Sequence, residues 1–93
     1  MAPLPFKGSA KESRKRILGI IRNMKRTSVV REEGNYLHTT FTTQLFRFVD
    51  DVEFLFDYDA GVIHFRSASR TGYYDFGVNR RRMERITRAY LGE

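Results

Sequence analysis

The chain contains no cysteine. That excludes disulfides, thiolate metal sites and cysteine nucleophiles, and it fits a reducing compartment. The only two histidines, His38 and His64, stand apart in the sequence, so no dedicated transition-metal site is expected. Long hydrophobic runs are missing too. The longest, Ile17–Ile21, is far shorter than a bilayer span and is closed by Arg22. The first nine residues lack the apolar stretch of a signal peptide. These absences predict a soluble, cytoplasmic protein with no membrane span. Both prolines lie before Gly8, in what reads as an extended lead-in, and no internal repeat or low-complexity tract follows.

What is present describes one packed domain. Ninety-three residues, with eight Phe and five Tyr, suffice for a single two-layer fold and leave no room for a second core. The net charge of +6 is unevenly spread. Basic residues crowd the stretch from Lys7 to Arg31 and again from Arg80 to Arg88, while Asp50, Asp51, Glu53, Asp57 and Asp59 make the middle acidic. Basic helical faces around a more acidic sheet are the simplest reading.

Ser9-Ala10-Lys11-Glu12 has the spacing of a capping box, and Ile17, Ile20, Ile21 and Met24 follow at helical intervals. A helix is predicted over Ser9–Lys25. Thr27–Glu33 and Tyr36–Thr43 flank Gly34-Asn35 as a first hairpin. Residues 44–50 read as a bend or strand crossing. Asp51–Tyr58 alternates, with Val52, Phe54, Phe56 and Tyr58 on one face, and pairs with Val62–Ser69 as a second hairpin. A turn on Ala60-Gly61 would set Tyr58 opposite Ile63, Phe56 opposite Phe65, and Asp57 opposite His64. Asn79 is the predicted cap of a closing helix that buries Met83, Ile86 and Tyr90. The fold class is therefore α+β: a helix, a four-stranded antiparallel sheet of two hairpins, and a C-terminal helix, both helices on one sheet face.

The richest chemistry lies between the last strand and the last helix. Arg66 and Arg70 offer planar forks, Ser67 and Ser69 add hydroxyls, and the amides near Asn79 and Arg80 favour an anion. Arg80, Arg81 and Arg82 oppose the helix dipole, by about 0.3–1 kcal/mol each when exposed. A bound anion, Asp75 or the acidic strand could offset that cost. Two readings stand side by side. In one, Arg66 or Arg70 bridges to Asp50, Asp51 or Asp75 and pins the loop. In the other, Arg66, Ser67, Ser69, Arg70, Asn79 and Arg80 recognise an anionic small molecule or an anionic group on a protein partner. Asp75 would then orient an arginine, with Asp50, Asp51 and Tyr73 in support.

Two further classes remain open. Basic helices with Tyr73, Tyr74 or Phe76 as stacking platforms would suit nucleic acid; the same aromatics with an exposed strand edge would suit a scaffold or docking protein. An enzyme is the least supported class. No nucleophile elbow or phosphate loop is present, and no cofactor or metal set can be placed.

Phe48-Val49-Asp50-Asp51-Val52-Glu53-Phe54, Arg66-Ser67-Ala68-Ser69-Arg70, Gly72, Asp75, Gly77-Val78-Asn79-Arg80 and Arg82 together carry a resemblance. So do Tyr36-Leu37 and the helix after Pro-Leu-Pro. The chain resembles the bacterial and plastid-associated domain of unknown function 1499 family over nearly its whole length. The resemblance implies no activity. Many members carry a Cys-Pro…Asn-Cys segment ahead of the first helix. This chain has no cysteine, so no redox, metal or anchoring role of that segment carries over.

Overall fold

A computed structural model describes residues 2–70 and 77–93. The elements are β1 (Leu4–Pro5), α1 (Ala10–Arg22), β2 (Thr27–Glu33), β3 (Tyr36–Thr42), β4 (Val49–Asp57), β5 (Val62–Ser69) and α2 (Val78–Leu91). The strands form one antiparallel sheet in the order β1-β5-β4-β3-β2. Strand β1 is the addition to the predicted four. Two lead-in residues pair with β5, Leu4 opposite Ile63, and Leu4 is buried. A proline suits such an edge because its missing N–H faces no partner strand.

Helix α1 starts as its sequence dictates. The Ser9 side chain accepts from the Glu12 amide, and the Glu12 carboxylate accepts from the Ser9 amide, both at 3.1 Å. Ile17, Leu18 and Ile21 are buried on its inner face, joined from α2 by Met83, Ile86 and Tyr90. Leu37, Phe41, Val52, Phe54, Phe56 and Ile63 supply the sheet side of the same cluster. Since these strand residues alternate along the chain, they share one face, and both helices lie on it. Among the described residues the opposite face carries no helix. The outer edge strand β2 is mostly exposed, bulges between Val29 and Arg31, and ends in charged residues, features that discourage pairing with a second sheet.

Two sequence expectations require correction. In the second hairpin Phe56 lies opposite Ile63 and Phe54 opposite Phe65, with Asp57 opposite Val62. The register is therefore displaced by two residues from the expected one. The cause is the turn. Asp57 O accepts from the Gly61 amide at 2.8 Å, Asp57 Oδ1 accepts from the Ala60 amide at 3.0 Å, and Gly61 takes φ +67°. This wider four-residue turn suits glycine's left-handed conformation and leaves Tyr58 exposed in the turn instead of in the core. A displacement of two keeps every other residue on its face, so His64 Nε2 still meets Asp57 Oδ2 diagonally, at 3.1 Å.

The second correction concerns α2. Its cap is Gly77, in the left-handed region at φ +80°, and Val78 is the first helical residue. Asn79 lies inside the first turn, where its side chain turns inward to other partners.

Candidate functional site

The residues singled out from sequence fall into three groups. Asp50, Ser67, Asn79 and Arg82 form a network between the sheet and α2. Asp50 is fully buried on β4, and Arg82 Nη2 donates to its Oδ2 at 2.9 Å. Arg82 Nη1 donates to Asn79 Oδ1 at 2.7 Å and reaches Ser67 Oγ at 3.4 Å, and Ser67 Oγ also donates to Asn79 Oδ1. The guanidinium lies over the Phe41 ring, 4.8 Å from its centroid. Asn79 thus gives up its predicted capping role because its carbonyl is needed inside. The pairing of Asp50 with Arg82 was not foreseen, although both residues were noted.

Arg66 and Arg70 lie on the helix-free face of the sheet. Arg70 grips Asp51 with two nitrogens, Nη2 to Oδ1 at 2.7 Å and Nε to Oδ2 at 3.2 Å. His38 Nε2 lies 2.7 Å from the same Oδ1. Beside them Arg66 Nη2 donates to Glu53 Oε1, and the Tyr36 hydroxyl donates to Glu53 Oε2 at 2.6 Å. Glu53 lies directly opposite both His38 and Arg66 in register, so these are cross-strand pairs of the usual kind. His38, Asp51, Glu53, Arg66 and Arg70 line a shallow hollow of about 480 Å³, bordered at its edge by Ser69, which lies opposite Asp50 on the helix side of the sheet. The Arg70–Asp51 bridge is the pinning arrangement weighed from the sequence.

Arg66, Ser67, Asn79 and Arg80 also meet around a smaller hollow of about 240 Å³ between β5 and the start of α2. Arg80 Nε there donates to Glu84 Oε1 at 3.0 Å. Asp75 and Tyr73, named from sequence, lie outside the described residues.

The carboxylates of the open face titrate low. The Arg70 guanidinium first, and then the His38 ring, hold Asp51 below its ordinary value against the opposing effect of partial burial. The Tyr36 hydroxyl first, and then Arg66, do the same for Glu53. A carboxylate depressed in the folded state stabilises above its unfolded pKa, near 4, and that contribution is lost as pH falls through the depressed folded value. The thermal midpoint should therefore be flat between about pH 7 and 5 and fall below about pH 4. Asp51→Asn with Glu53→Gln should lower it by a few degrees at pH 7, since the partner arginines are largely exposed. It should also make the acid-side fall shallower. Thermal melts at several pH values check this; an unchanged acid-side slope would show that these pairs do not govern it.

A different constellation occupies the end of the fold where α1 leaves the sheet and α2 begins. A cleft of about 620 Å³ there is lined by Lys25, Arg26, Arg81, Arg82 and Arg85, together with Phe41–Gln44, Val78 and the end of α1. No described carboxylate lines it. Arg26 holds a left-handed conformation, φ +58°, and is clamped to β3: its carbonyl accepts from the Thr42 amide at 2.9 Å and its Nε donates to Thr42 O at 3.0 Å. The Thr27 hydroxyl donates to the carbonyls of Ile21 and Met24 at 3.1 and 3.3 Å, covering part of the negative end of α1. Arg81 and Arg85 follow one another on α2 at helical spacing, and Arg82 projects between cleft and interior. Sequence reasoning missed this cleft, because only the fold brings residues 25–26 beside residues 81–85.

No curated protein and no solved structure matches the chain. One family, described as "Protein of unknown function (DUF1499)", matches residues 1–90, almost the full length and including every group of side chains above. The sheet-face pairs, the buried Asp50–Arg82 network and the basic cleft are thus features of a chain that belongs to the DUF1499 family.

Proposed function

We propose that the chain is a small α+β binding module that recognises an anionic small molecule, or an anionic group on a larger partner, in the cleft between the end of α1 and the start of α2. One observation carries the reading: five cationic residues line a single cleft that no described carboxylate shares. Arg82 is balanced by buried Asp50 behind the cleft, but positive charge concentrated along one lining still favours something negative in the space. The arginines of the open sheet face and Arg80 support the same chemistry less well. Each of them already holds a carboxylate, which an incoming anion would have to displace. Lys25 and Arg85 make no hydrogen bond or ion pair among the described residues. The first-turn amides of α2 add a favourable field for an anion at the cleft's edge.

Inorganic phosphate or pyrophosphate added to isotopically labelled protein should shift the amides of residues 23–26, 41–44 and 78–85 saturably. The affinity should fall as salt rises. Lys25→Glu with Arg85→Glu should weaken binding by roughly tenfold or more, because two charge-assisted contacts are replaced by repulsion. Saturable shifts confined to residues 66–70 would move the site to the sheet face, and the absence of any saturable shift would refute the reading.

A further inference from the structure

The cleft has an apolar neighbour. Its lining ends at Gln44, and the next two residues, Leu45 and Phe46, are 80% and 66% exposed at the tip of the loop between β3 and β4. Single exposed apolar side chains are ordinary. Two adjacent large ones at a loop tip are different, since a connection of this length is more simply made with polar turn residues. The tip is also held in shape. The Thr43 amide donates to Phe48 O at 2.8 Å, and the Phe48 amide donates to Thr43 Oγ1 at 2.9 Å. The Phe46 ring stacks on Phe48 at 5.5 Å between centroids. Arg47 takes φ +58°, a conformation uncommon for a residue with a side chain and retained only where the surroundings enforce it. The loop is thus closed beneath its tip while Leu45 and Phe46 project outward.

Charge decides the kind of partner. Arg47 follows the apolar pair directly, and Lys25, Arg26 and Arg85 stand in the adjoining cleft. A pair of insertable apolar side chains followed by Arg47 and set beside a basic cleft matches a surface that is negative at its polar layer and hydrocarbon beneath: an anionic lipid bilayer. We infer that the cleft and the loop form one peripheral membrane-docking surface, with a lipid phosphate in the cleft and Leu45 and Phe46 entering the headgroup–acyl boundary. The inference rests on the anion-binding reading of the cleft and adds the source of the anion. It needs no transmembrane segment, and among the described residues no helix is long and apolar enough to cross a membrane.

The test is co-sedimentation with vesicles of phosphatidylcholine alone and of phosphatidylcholine containing phosphatidylglycerol, run beside the phosphate titration above. The protein should pellet with the anionic vesicles and stay in solution with the neutral ones. Leu45→Ser with Phe46→Ser should weaken vesicle binding by roughly tenfold or more, from the loss of buried apolar area, while leaving the phosphate-induced amide shifts unchanged. Lys25→Glu with Arg85→Glu should weaken both by roughly tenfold or more. If phosphate shifts the cleft amides but the protein ignores anionic vesicles, the membrane inference fails and the anion site stands. Equal pelleting of the wild-type protein and the Leu45→Ser/Phe46→Ser variant would also overturn it, because charge alone would then explain the attraction. So would a dimer mass by light scattering that the same variant converts to monomer, since the tip would then be a contact between two copies.

Discussion

Replacing Asp50 with alanine is expected to lower the stability of the domain by about 3–5 kcal/mol, the loss seen when one member of a buried ion pair is removed. Asp50 is fully buried and Arg82 nearly so. The Arg82 guanidinium is held by Asp50 at one nitrogen and by Asn79 and Ser67 at another. Without the carboxylate, a cation would remain between α2 and the sheet with only neutral acceptors and the Phe41 ring. Against a total stability of about 5–15 kcal/mol for a domain of this kind, the change is large. It corresponds to a fall of well over 10 °C in the thermal midpoint. Asp50→Asn should cost less, because the amide oxygen can still accept from Arg82. Thermal and urea unfolding check both; a loss below about 1 kcal/mol for Asp50→Ala would show that water reaches and solvates the abandoned guanidinium.

The double replacement separates stability from placement. Asp50→Val with Arg82→Met removes both charges and should recover most of the lost stability, since apolar residues of closely matching volume replace buried pairs at little cost. What it should not restore is the position of the first turn of α2. Arg82 ties that turn to β4, opposite Phe41 on β3, and Arg81 and Arg85 reach the cleft from the same turn and the next. A stable double variant with weakened phosphate binding would show that the buried pair positions the cleft as well as holding the helix.

The legible and illegible parts of this molecule divide along physical lines. Both helices, four strands and the sheet face of Phe54 and Phe56 were readable because each is set by spacing within a short stretch. The capping box at Ser9 is the clearest case, since its two hydrogen bonds are made by residues three apart. The register of the last hairpin was missed by two because alternation fixes only the face, and the Asp57–Gly61 turn decides the rest. The cap of α2 was missed because Asn79 is a good cap in isolation, and only the folded state offers it Arg82 and Ser67. The arginines of the open face were readable as a cluster, with Asp51 among the partners weighed for Arg70, but the Arg66–Glu53 pair was not, since it forms across strands. The cleft was beyond sequence reasoning altogether. Lys25 and Arg26 are separated from Arg81 and Arg85 by strands β2 to β5 in sequence, and ordinary charged residues carry no mark of what will stand beside them.

Tyr90→Ala is expected to cost about 3–5 kcal/mol, as for other large aromatic truncations in a core, and to loosen the N-terminal edge of the sheet with it. Tyr90 is fully buried on α2, and its hydroxyl donates to the Pro5 carbonyl of β1 at 2.7 Å. Lys7 and Arg16 lie over its ring at 5.8 and 5.7 Å, and Arg16 Nε donates to its backbone carbonyl at 2.7 Å. One side chain therefore joins the last helix to the first helix and to the first strand. Strand β1 is only two residues long, too short to hold itself by ladder bonds. Its docking depends on the Leu4 side chain, the Phe6 amide bond to Gly61 O at 2.9 Å and the Tyr90 hydroxyl. Tyr90→Phe should keep the packing and lose about 1 kcal/mol with the hydrogen bond. In both variants the amides of β5 that β1 covers should exchange faster, more so in Tyr90→Ala, because the strand beneath becomes an open edge. Hydrogen exchange at Ile63, whose amide faces β1 opposite Leu4, reads this directly. If Tyr90→Ala unfolds more easily while Tyr90→Phe leaves exchange at Ile63 unchanged, the hydroxyl does not hold β1 in place, and Leu4 with the Phe6 hydrogen bond anchors the edge.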